Sequence, residues 1–112
     1  MKLPNGDRAV VEIEKLVDYC LNLDHPRGKH KARVFRAACG MAANDAEWMR
    51  QQLLEAAMRN EANQTSQSAH GRRYVVECML EGSAGEAHIV TAWIVRDGED
   101  FPRFVSAYVV SR

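Results

Sequence analysis

The sequence predicts a single α+β domain over residues 1–112, in which about three N-terminal helices pack on one face of a C-terminal antiparallel sheet of three to four strands. Three observations lead to this prediction. Apolar residues recur at helical spacing up to residue 60, they alternate from residue 72 onward, and short turn-forming stretches join the later segments. A chain of 112 residues is long enough for one modest core.

The helical half is predicted to cover residues 1–60. An LPNGD turn is followed by residues 9–11, a short strand or a lead-in, and then by apolar residues at helical spacing over 12–21. A second helix is predicted over 28–39, with Ala32, Phe35 and Cys39 inward and Gly40 as the residue that ends it. Asn44 is expected to cap a third helix over 45–60, because Glu47 follows it at capping-box spacing.

The second half is predicted to begin with a polar loop over residues 60–71, NEANQTSQSAHG, which has no apolar periodicity. Strands are then predicted over 73–80, 87–96 and 103–111, forming an antiparallel meander. The connections EGSAGE and DGEDFP are turn-forming. In the last strand, Val105, Ala107 and Val109 are expected to face the helices, with Phe104, Ser106 and Tyr108 on the opposite face.

Composition excludes several classes of protein. The formal net charge is zero, which argues against nonspecific coating of duplex DNA. No apolar run approaches the roughly 20 residues of a membrane span, and the first residues lack the apolar core of a secretory signal. Three widely spaced cysteines, Cys20, Cys39 and Cys78, suggest reduced thiols. We therefore expect a cytoplasmic protein.

The most distinctive segment is HPRGKHKARVF, residues 25–35, which is followed by Arg36. It holds four Lys or Arg, five with Arg36, and two His but no acid. Such local charge favours an anion, and RNA is the natural candidate. Unpaired backbone N–H groups at the start of the second helix would add donors for phosphate. The substrate-binding residues predicted here are Arg27, Lys29, His30 and Arg33.

Two alternatives for this segment stay open. It can be a solvated positive face that pairs with Asp24, Glu12 or Glu14, or it can bind an acidic surface of a partner protein. The GxxxxGK[ST] pattern of a phosphate-binding loop is absent.

His25 and Lys31 are the candidates for chemistry. A neutral imidazole can take a proton from a ribose 2′-hydroxyl, and a nearby lysine can stabilise charge on the phosphate. These groups would suffice for RNA cleavage without a metal. The His and Cys spacings match no common zinc pattern, so no metal and no cofactor is expected.

Polar and aromatic residues of the strands are expected to complete the site. An exposed face with Thr91, Trp93, Ser106 and Tyr108 would stack on and hydrogen-bond a base or a ribose. Arg103 is expected at the start of the last strand, on the side that faces the helices. The alternative is that these residues simply suit strands, where aromatic and β-branched side chains are common.

The same residues resemble a family of small uncharacterised bacterial domains. Leu21-Asn22, His25-Pro26, Gly28, Lys31-Ala32 and Phe35 match its opening pattern LNP-HP-G--KA--F, with Leu23 in place of proline. Gly71 and Tyr74 match YG-RY-V, with His70 in place of tyrosine. The segments at 92–95 and 102–108 match VWIV and PRLVTAYP, with Ser106 in place of threonine.

The layout of helices followed by a sheet with a Ser-x-Tyr closing strand is also similar to the barnase, EndoU, colicin and RelE-type ribonucleases. This resemblance implies a toxin-type, metal-independent endoribonuclease that leaves a 2′,3′-cyclic phosphate. It implies that His25 is a base or acid and that Lys31 is the electrostatic stabiliser. It further implies that Tyr108 is the third catalytic residue and that Arg103, Ser106 and Tyr108 hold a phosphate or a base. The partners implied are RNA and a cognate antitoxin or other neighbouring-gene protein.

Two other functions fit the sequence. One is a non-enzymatic accessory or immunity domain, or a homodimer, which a flat apolar patch would favour. The other is a small anion-binding regulatory domain.

Overall fold

The computed structural model describes residues 1–111, with the backbone alone for Ser111, and Arg112 lies outside the described residues. It confirms the α+β fold, with three helices followed by a four-stranded antiparallel sheet. The elements in chain order are α1 Ile13–Lys15, which continues as a π-helical turn over Leu16–Cys20, α2 Lys29–Cys39, α3 Ala46–Arg59, β1 Ala62–Ser68, β2 Gly71–Gly82, β3 Gly85–Arg96 and β4 Arg103–Ser111.

Helix α2 forms as its apolar spacing predicts. Ala32, Phe35 and Cys39 are buried at 1%, 0% and 0% exposure, and burial of a side chain as large as phenylalanine contributes about 1.5–3 kcal/mol. The helix ends at Gly40, whose φ of 78° lies in the left-handed region that glycine adopts without strain. The second helix is therefore confirmed within one residue of its predicted bounds.

The start of α3 differs from the prediction. A 3₁₀ turn over Ala43–Asp45 precedes the helix, and Asp45 rather than Asn44 is the N-cap residue. The Asp45 carboxylate accepts a hydrogen bond of 3.0 Å from the backbone N–H of Ala42. Asn44 lies inside the 3₁₀ turn and not at the start of α3, so the predicted cap at that position is wrong.

The polar loop predicted over residues 60–71 is also wrong. Residues 62–68 form strand β1, which pairs antiparallel with β2 from Ala62 opposite Val76 to Ser68 opposite Gly71. Only Ala62 in this strand is buried. The sequence has no apolar alternation there because an edge strand exposed along its length has no side to bury.

The sheet has the order β1-β2-β3-β4, and the helices cover one of its faces. The core side of β3 is fully buried, with Ile89, Thr91 and Trp93 at 0% exposure. Phe104 is also buried and meets Trp93 edge to face at 5.5 Å between ring centroids. Its predicted position on the opposite face is wrong, because the pairing shifts by one residue between Phe104 and Ser106. Such a bulge reverses the alternation beyond it.

The first ten residues pair with the chain at both edges of the sheet, next to β1 and at the start of β4. Lys2 forms a bridge to Glu61, just before β1, and Val10 forms a parallel bridge to Arg103 at the start of β4. Val10 donates to the carbonyl of Pro102 at 2.9 Å and accepts from the N–H of Phe104 at 2.8 Å. Residues 9–11 thus provide the lead-in that the sequence suggested.

A buried hydrogen-bond chain links β2 and β3 inside the core. The Thr91 hydroxyl donates to the carbonyl of Val76 at 2.7 Å and accepts from the Trp93 indole N–H at 2.7 Å. Trp93 is fully buried, so its N–H has no access to water. Thr91 therefore satisfies the one polar group of the largest core side chain.

We predict that Thr91→Val lowers the free energy of unfolding by about 2 kcal/mol or more. Valine preserves the shape but leaves the buried indole N–H without a partner, at a cost of roughly 1–3 kcal/mol, and removes a donor to Val76. Thr91→Ser is the matched control, since it keeps the hydroxyl and loses about one methyl group, worth roughly 1 kcal/mol. Urea denaturation measures both, and equal stability of the two variants would contradict the assignment.

Candidate functional site

The start of α2 lies against the π-helical turn because residue 28 has no side chain. A Cβ atom at Gly28 would come within 2.7 Å of the Tyr19 carbonyl oxygen. Glycine therefore permits a close approach that brings the Tyr19 ring next to His25 and Lys31. This contact positions the basic segment.

His25 satisfies the backbone at the helix start. Its Nδ1 accepts hydrogen bonds from the N–H of Arg27 at 3.0 Å and from the N–H of Gly28 at 2.8 Å. Its ring meets Tyr19 edge to face, with centroids 4.8 Å apart and planes at 75°. Because Nδ1 is an acceptor, the neutral ring carries its proton on Nε2. His25 thus presents a donor, and the proton-accepting role expected from the sequence does not fit this arrangement.

Lys31 and Ser106 come together across the two halves of the chain. The Lys31 ammonium donates to the Ser106 hydroxyl at 2.6 Å and lies 5.5 Å from the centroid of the Tyr19 ring. Both contacts are partly buried, so the ammonium is fixed at the junction of α2 and β4. Cation–π contact and a hydroxyl acceptor stabilise it there without neutralising its charge. We name His25, Tyr19, Lys31 and Ser106 the junction cluster.

Two further residues, Cys20 and Lys15, lie at this junction, and no motif in the sequence indicates a role for them there. Burial raises the pKa of the Cys20 thiol, while the charges of Lys31 and Lys15 and a hydrogen bond with the Ala107 backbone act against that rise. Cys20 is 1% exposed, so it is a core residue. The Lys15 ammonium donates to the carbonyl of Phe104 at 2.9 Å and holds the turn against the edge of β4.

The other basic side chains of residues 25–36 are exposed, apart from the partly buried Lys29, and have no carboxylate partner among the described residues. We define the basic surface as Arg27, Lys29, His30, Arg33 and Arg36. Within residues 1–111 none of the five side chains forms an ion pair. By contrast, Arg8, Arg50 and Arg59 each pair with a carboxylate. The expected pairing with Asp24, Glu12 or Glu14 is absent from this part of the chain, and Glu12 pairs with Arg103 instead, at 3.8 Å.

Arg103 is not free to hold a phosphate. Its guanidinium makes two hydrogen bonds to Glu99, at 2.9 and 3.0 Å, and lies 5.1 Å from the Phe101 ring. The hydrogen bond from Arg103 holds the pKa of the Glu99 carboxyl below its usual value, and Glu99 raises the pKa of Arg103. The predicted substrate-binding role of Arg103 is corrected to that of a structural ion pair.

The other strand residues do not form one exposed face. Thr91 and Trp93 lie in the core at 0% exposure, so the prediction of an exposed pair is wrong. Tyr108 is exposed, opposite Val90 in the register, and its side chain makes no hydrogen bond or ring contact with His25 or Lys31 among the described residues. Of the predicted strand residues, only Ser106 reaches the helix start.

Within residues 1–111 no group of three His, Cys, Asp or Glu side chains is placed to hold a metal ion. None of the helices in this part of the chain has the length and apolar character needed to cross a bilayer.

This geometry defines a class of protein: a small α+β domain in which a basic helix start is joined to the last strand of the sheet. The model of a domain of unknown function, DUF6883, matches residues 2–111. The chain belongs to this family. A search of curated proteins finds no match. The family match gives no support for a relation to ribonucleases. The similarity to ribonucleases therefore rests on the sequence motifs alone.

We predict that His25→Ala destabilises the fold by about 1–2 kcal/mol. It removes the acceptor of two N–H groups at the start of α2, and loss of such a cap typically costs about 1 kcal/mol. His25→Asn, which offers a side-chain oxygen, should recover part of the loss. His30→Ala is the matched control, because His30 is exposed and makes no such bonds. Thermal denaturation that ranks His30→Ala as the more damaging change would contradict this role.

Proposed function

We propose that the domain binds single-stranded RNA through the basic surface, with the junction cluster at one end of the bound strand. The observation that supports this most directly is the set of five basic side chains without an ion pair in residues 1–111. Other arginines of the same chain are paired, so acids are present but placed elsewhere.

The basic surface has an energetic cost that a bound anion would remove. Lys29 and Arg33 are four residues apart on α2, and Arg33 and Arg36 are three apart, so like charges are neighbours. Each such pair destabilises a helix by about 0.2–0.5 kcal/mol. Lys29 and His30 also lie in the first helical turn, where positive charge opposes the helix dipole. Phosphates close to these side chains would turn repulsion into attraction.

The shape of this surface favours a single strand. Leu23, Arg33, Arg36 and Ala37 line a shallow groove of about 490 Å³. Guanidinium groups can stack on a base as well as pair with a phosphate, and the apolar side chains of Leu23 and Ala37 suit the face of a base. The base faces of a duplex are stacked inside it, so this groove would make fewer contacts with a duplex than with a single strand.

We predict that Arg33→Gln weakens RNA binding and lowers its salt dependence. For single strands the logarithm of the binding constant falls with that of the salt concentration by about 0.7 per neutralised phosphate. Removing one contact should therefore reduce the slope by about 0.7. Arg59→Gln is the matched control, with the same charge change on α3. Fluorescence anisotropy with an oligonucleotide in a salt series measures both.

Equal loss of affinity in Arg33→Gln and Arg59→Gln would mean that only total charge matters, which contradicts the proposal. Absence of RNA binding at low salt, together with binding of an acidic protein, would replace RNA by the partner-protein alternative.

A second candidate function is cleavage of the bound strand without a metal, and the fixed Lys31 ammonium favours it. Attack of a ribose 2′-oxygen on the adjacent phosphorus forms the 2′,3′-cyclic phosphate and breaks the bond from phosphorus to the 5′-oxygen of the next nucleotide, which takes up a proton and leaves as a hydroxyl. Negative charge gathers on the phosphoryl oxygens during this step. Lys31 would stabilise that charge, and the Nε2–H of His25 would donate a hydrogen bond to the same phosphate. Neutral His25 already carries a proton on Nε2, and its Nδ1 accepts two backbone hydrogen bonds. Another group must therefore take the proton of the 2′-hydroxyl. We keep Tyr108 as a residue to test.

We predict that the protein cleaves mixed RNA in EDTA to 2′,3′-cyclic phosphates, and that Lys31→Ala lowers the rate about 10²–10³-fold, as loss of an electrostatic stabiliser does. Ser106→Ala should lower it less, since the charge is kept. Arg59→Gln should leave it unchanged. Cleavage that persists equally in Lys31→Ala would indicate a contaminant, and no cleavage by the unaltered protein would reject the enzymatic function while leaving the binding proposal intact.

A further inference from the structure

No described element covers one face of the sheet. Side chains on this face come from alternate positions of β2 and β3 and from β4, opposite to the fully buried set. Met79 is 52% exposed and Tyr108 is 50% exposed, while Val75, Val90 and Ala92 are partly exposed. The register places Val75 opposite Ala92 and Val90 opposite Tyr108, so apolar side chains are adjacent across three strands. We name these five residues the open face.

The open face also contains two polar side chains. Glu77 lies opposite Val90, His88 lies opposite Met79, and the two polar side chains contact each other at 2.9 Å. The face is therefore mixed. The solvent side of an antiparallel sheet is normally polar, so adjacent apolar side chains on three strands indicate a partner.

Charges divide the open face into two ends. Arg73 and Arg96 lie at the end near the β1–β2 turn, whereas Glu81 and Glu86 lie at the end near the β2–β3 turn. All four are exposed, and none forms an ion pair within residues 1–111. The acidic end also contains a like-charge conflict, because Glu81 and Glu86 are directly opposite each other in the register. Like charges in such a cross-strand pair are destabilising, so a positive group supplied from outside would relieve the conflict.

This pattern is complementary to itself. If a second copy faces the first across a two-fold axis that is perpendicular to the strands and parallel to the sheet, strand direction reverses. The arginine end of each copy then meets the glutamate end of the other, and the apolar centres meet. A two-fold axis parallel to the strands would instead bring like charges together. We propose that the open face is the interface of a homodimer with this antiparallel arrangement.

The size of the open face sets the strength of the dimer. Three strands at about 4.8 Å spacing and eight residues at about 3.3 Å span roughly 14 by 26 Å. That footprint is roughly 360 Å² per copy, or about 730 Å² for the two copies, which is below the roughly 1,000 Å² of a stable interface, so the dimer should be weak and transient. The proposal does not rest on RNA binding, but the two sites meet, because Ser106 of the junction cluster lies directly opposite Ala92 and Tyr108 belongs to the open face.

The test is the oligomeric state of the full chain in a concentration series by sedimentation velocity. We expect a reversible monomer–dimer equilibrium that Val90→Glu abolishes, with Glu55→Lys on α3 as a control that leaves it unchanged. Arg73→Glu and Glu86→Arg should each weaken the dimer about tenfold or more, because each places like charges across the interface. Thermal denaturation establishes that each variant is folded.

Mixing the two charge variants gives the sharper result. In a heterodimer of the Arg73→Glu and Glu86→Arg variants, positions 73 and 86 carry opposite charges at both contacts between the copies. The mixture should therefore form a heterodimer that is tighter than the homodimer of either variant. No gain on mixing would overturn the antiparallel arrangement. A monomer at all concentrations up to several hundred micromolar would overturn the dimer, and a dimer that Val90→Glu leaves intact would place the interface on another surface.

Discussion

The close approach of Gly28 to the Tyr19 carbonyl is the constraint on which the candidate site depends. It fixes the start of α2 against the π-helical turn and brings the Tyr19 ring between His25 and Lys31. The hydrogen bond from Lys31 to Ser106 then ties this start to β4, 75 residues further along the chain. Without that approach α2 could still form and pack through Phe35, but the Tyr19 ring would not be held next to His25 and Lys31.

The distribution of ion pairs separates structural charges from available ones. Arg8, Arg50 and Arg103 connect distant segments, through the Asp100 carboxylate, the Val11 carbonyl and the Glu12 carboxylate respectively. The basic surface on α2 has no such task in the described residues. A chain of zero net charge can therefore carry a local anion-binding surface, because its acids are placed near other cations.

The sequence predicted those elements whose two sides differ in polarity. Helix α2 and strands β2 and β3 each bury one side. In α2 the buried residues, among them Phe35, follow helical spacing, and in β2 the buried residues, among them Val76, alternate with more exposed ones. Strand β1 could not be predicted, because its side chains are exposed along nearly its whole length. The bulge next to Ser106 is a property of pairing between strands, which a single segment does not encode.

The same reasoning explains the mixed result for the site. Charge density is local in sequence, so the basic segment was evident, whereas the burial of Thr91 and Trp93 depends on which side of the sheet the helices cover. The chemical role predicted for His25 rests on its position among lysines and on the resemblance to ribonucleases. Its use as a backbone acceptor follows from the shape of the turn that precedes α2, and residue type alone does not show it.

The bridges made by the first ten residues have a consequence for biosynthesis. Val10 pairs with Arg103, and Lys2 pairs with Glu61, so the earliest part of the chain is completed by much later parts. As the ribosome releases the polypeptide from its N-terminus, α1 and α2 emerge before the sheet on which they pack. The apolar side of α2 lacks its native partners in β3 and β4 until these strands have been synthesised, and during that interval it is accessible to chaperones.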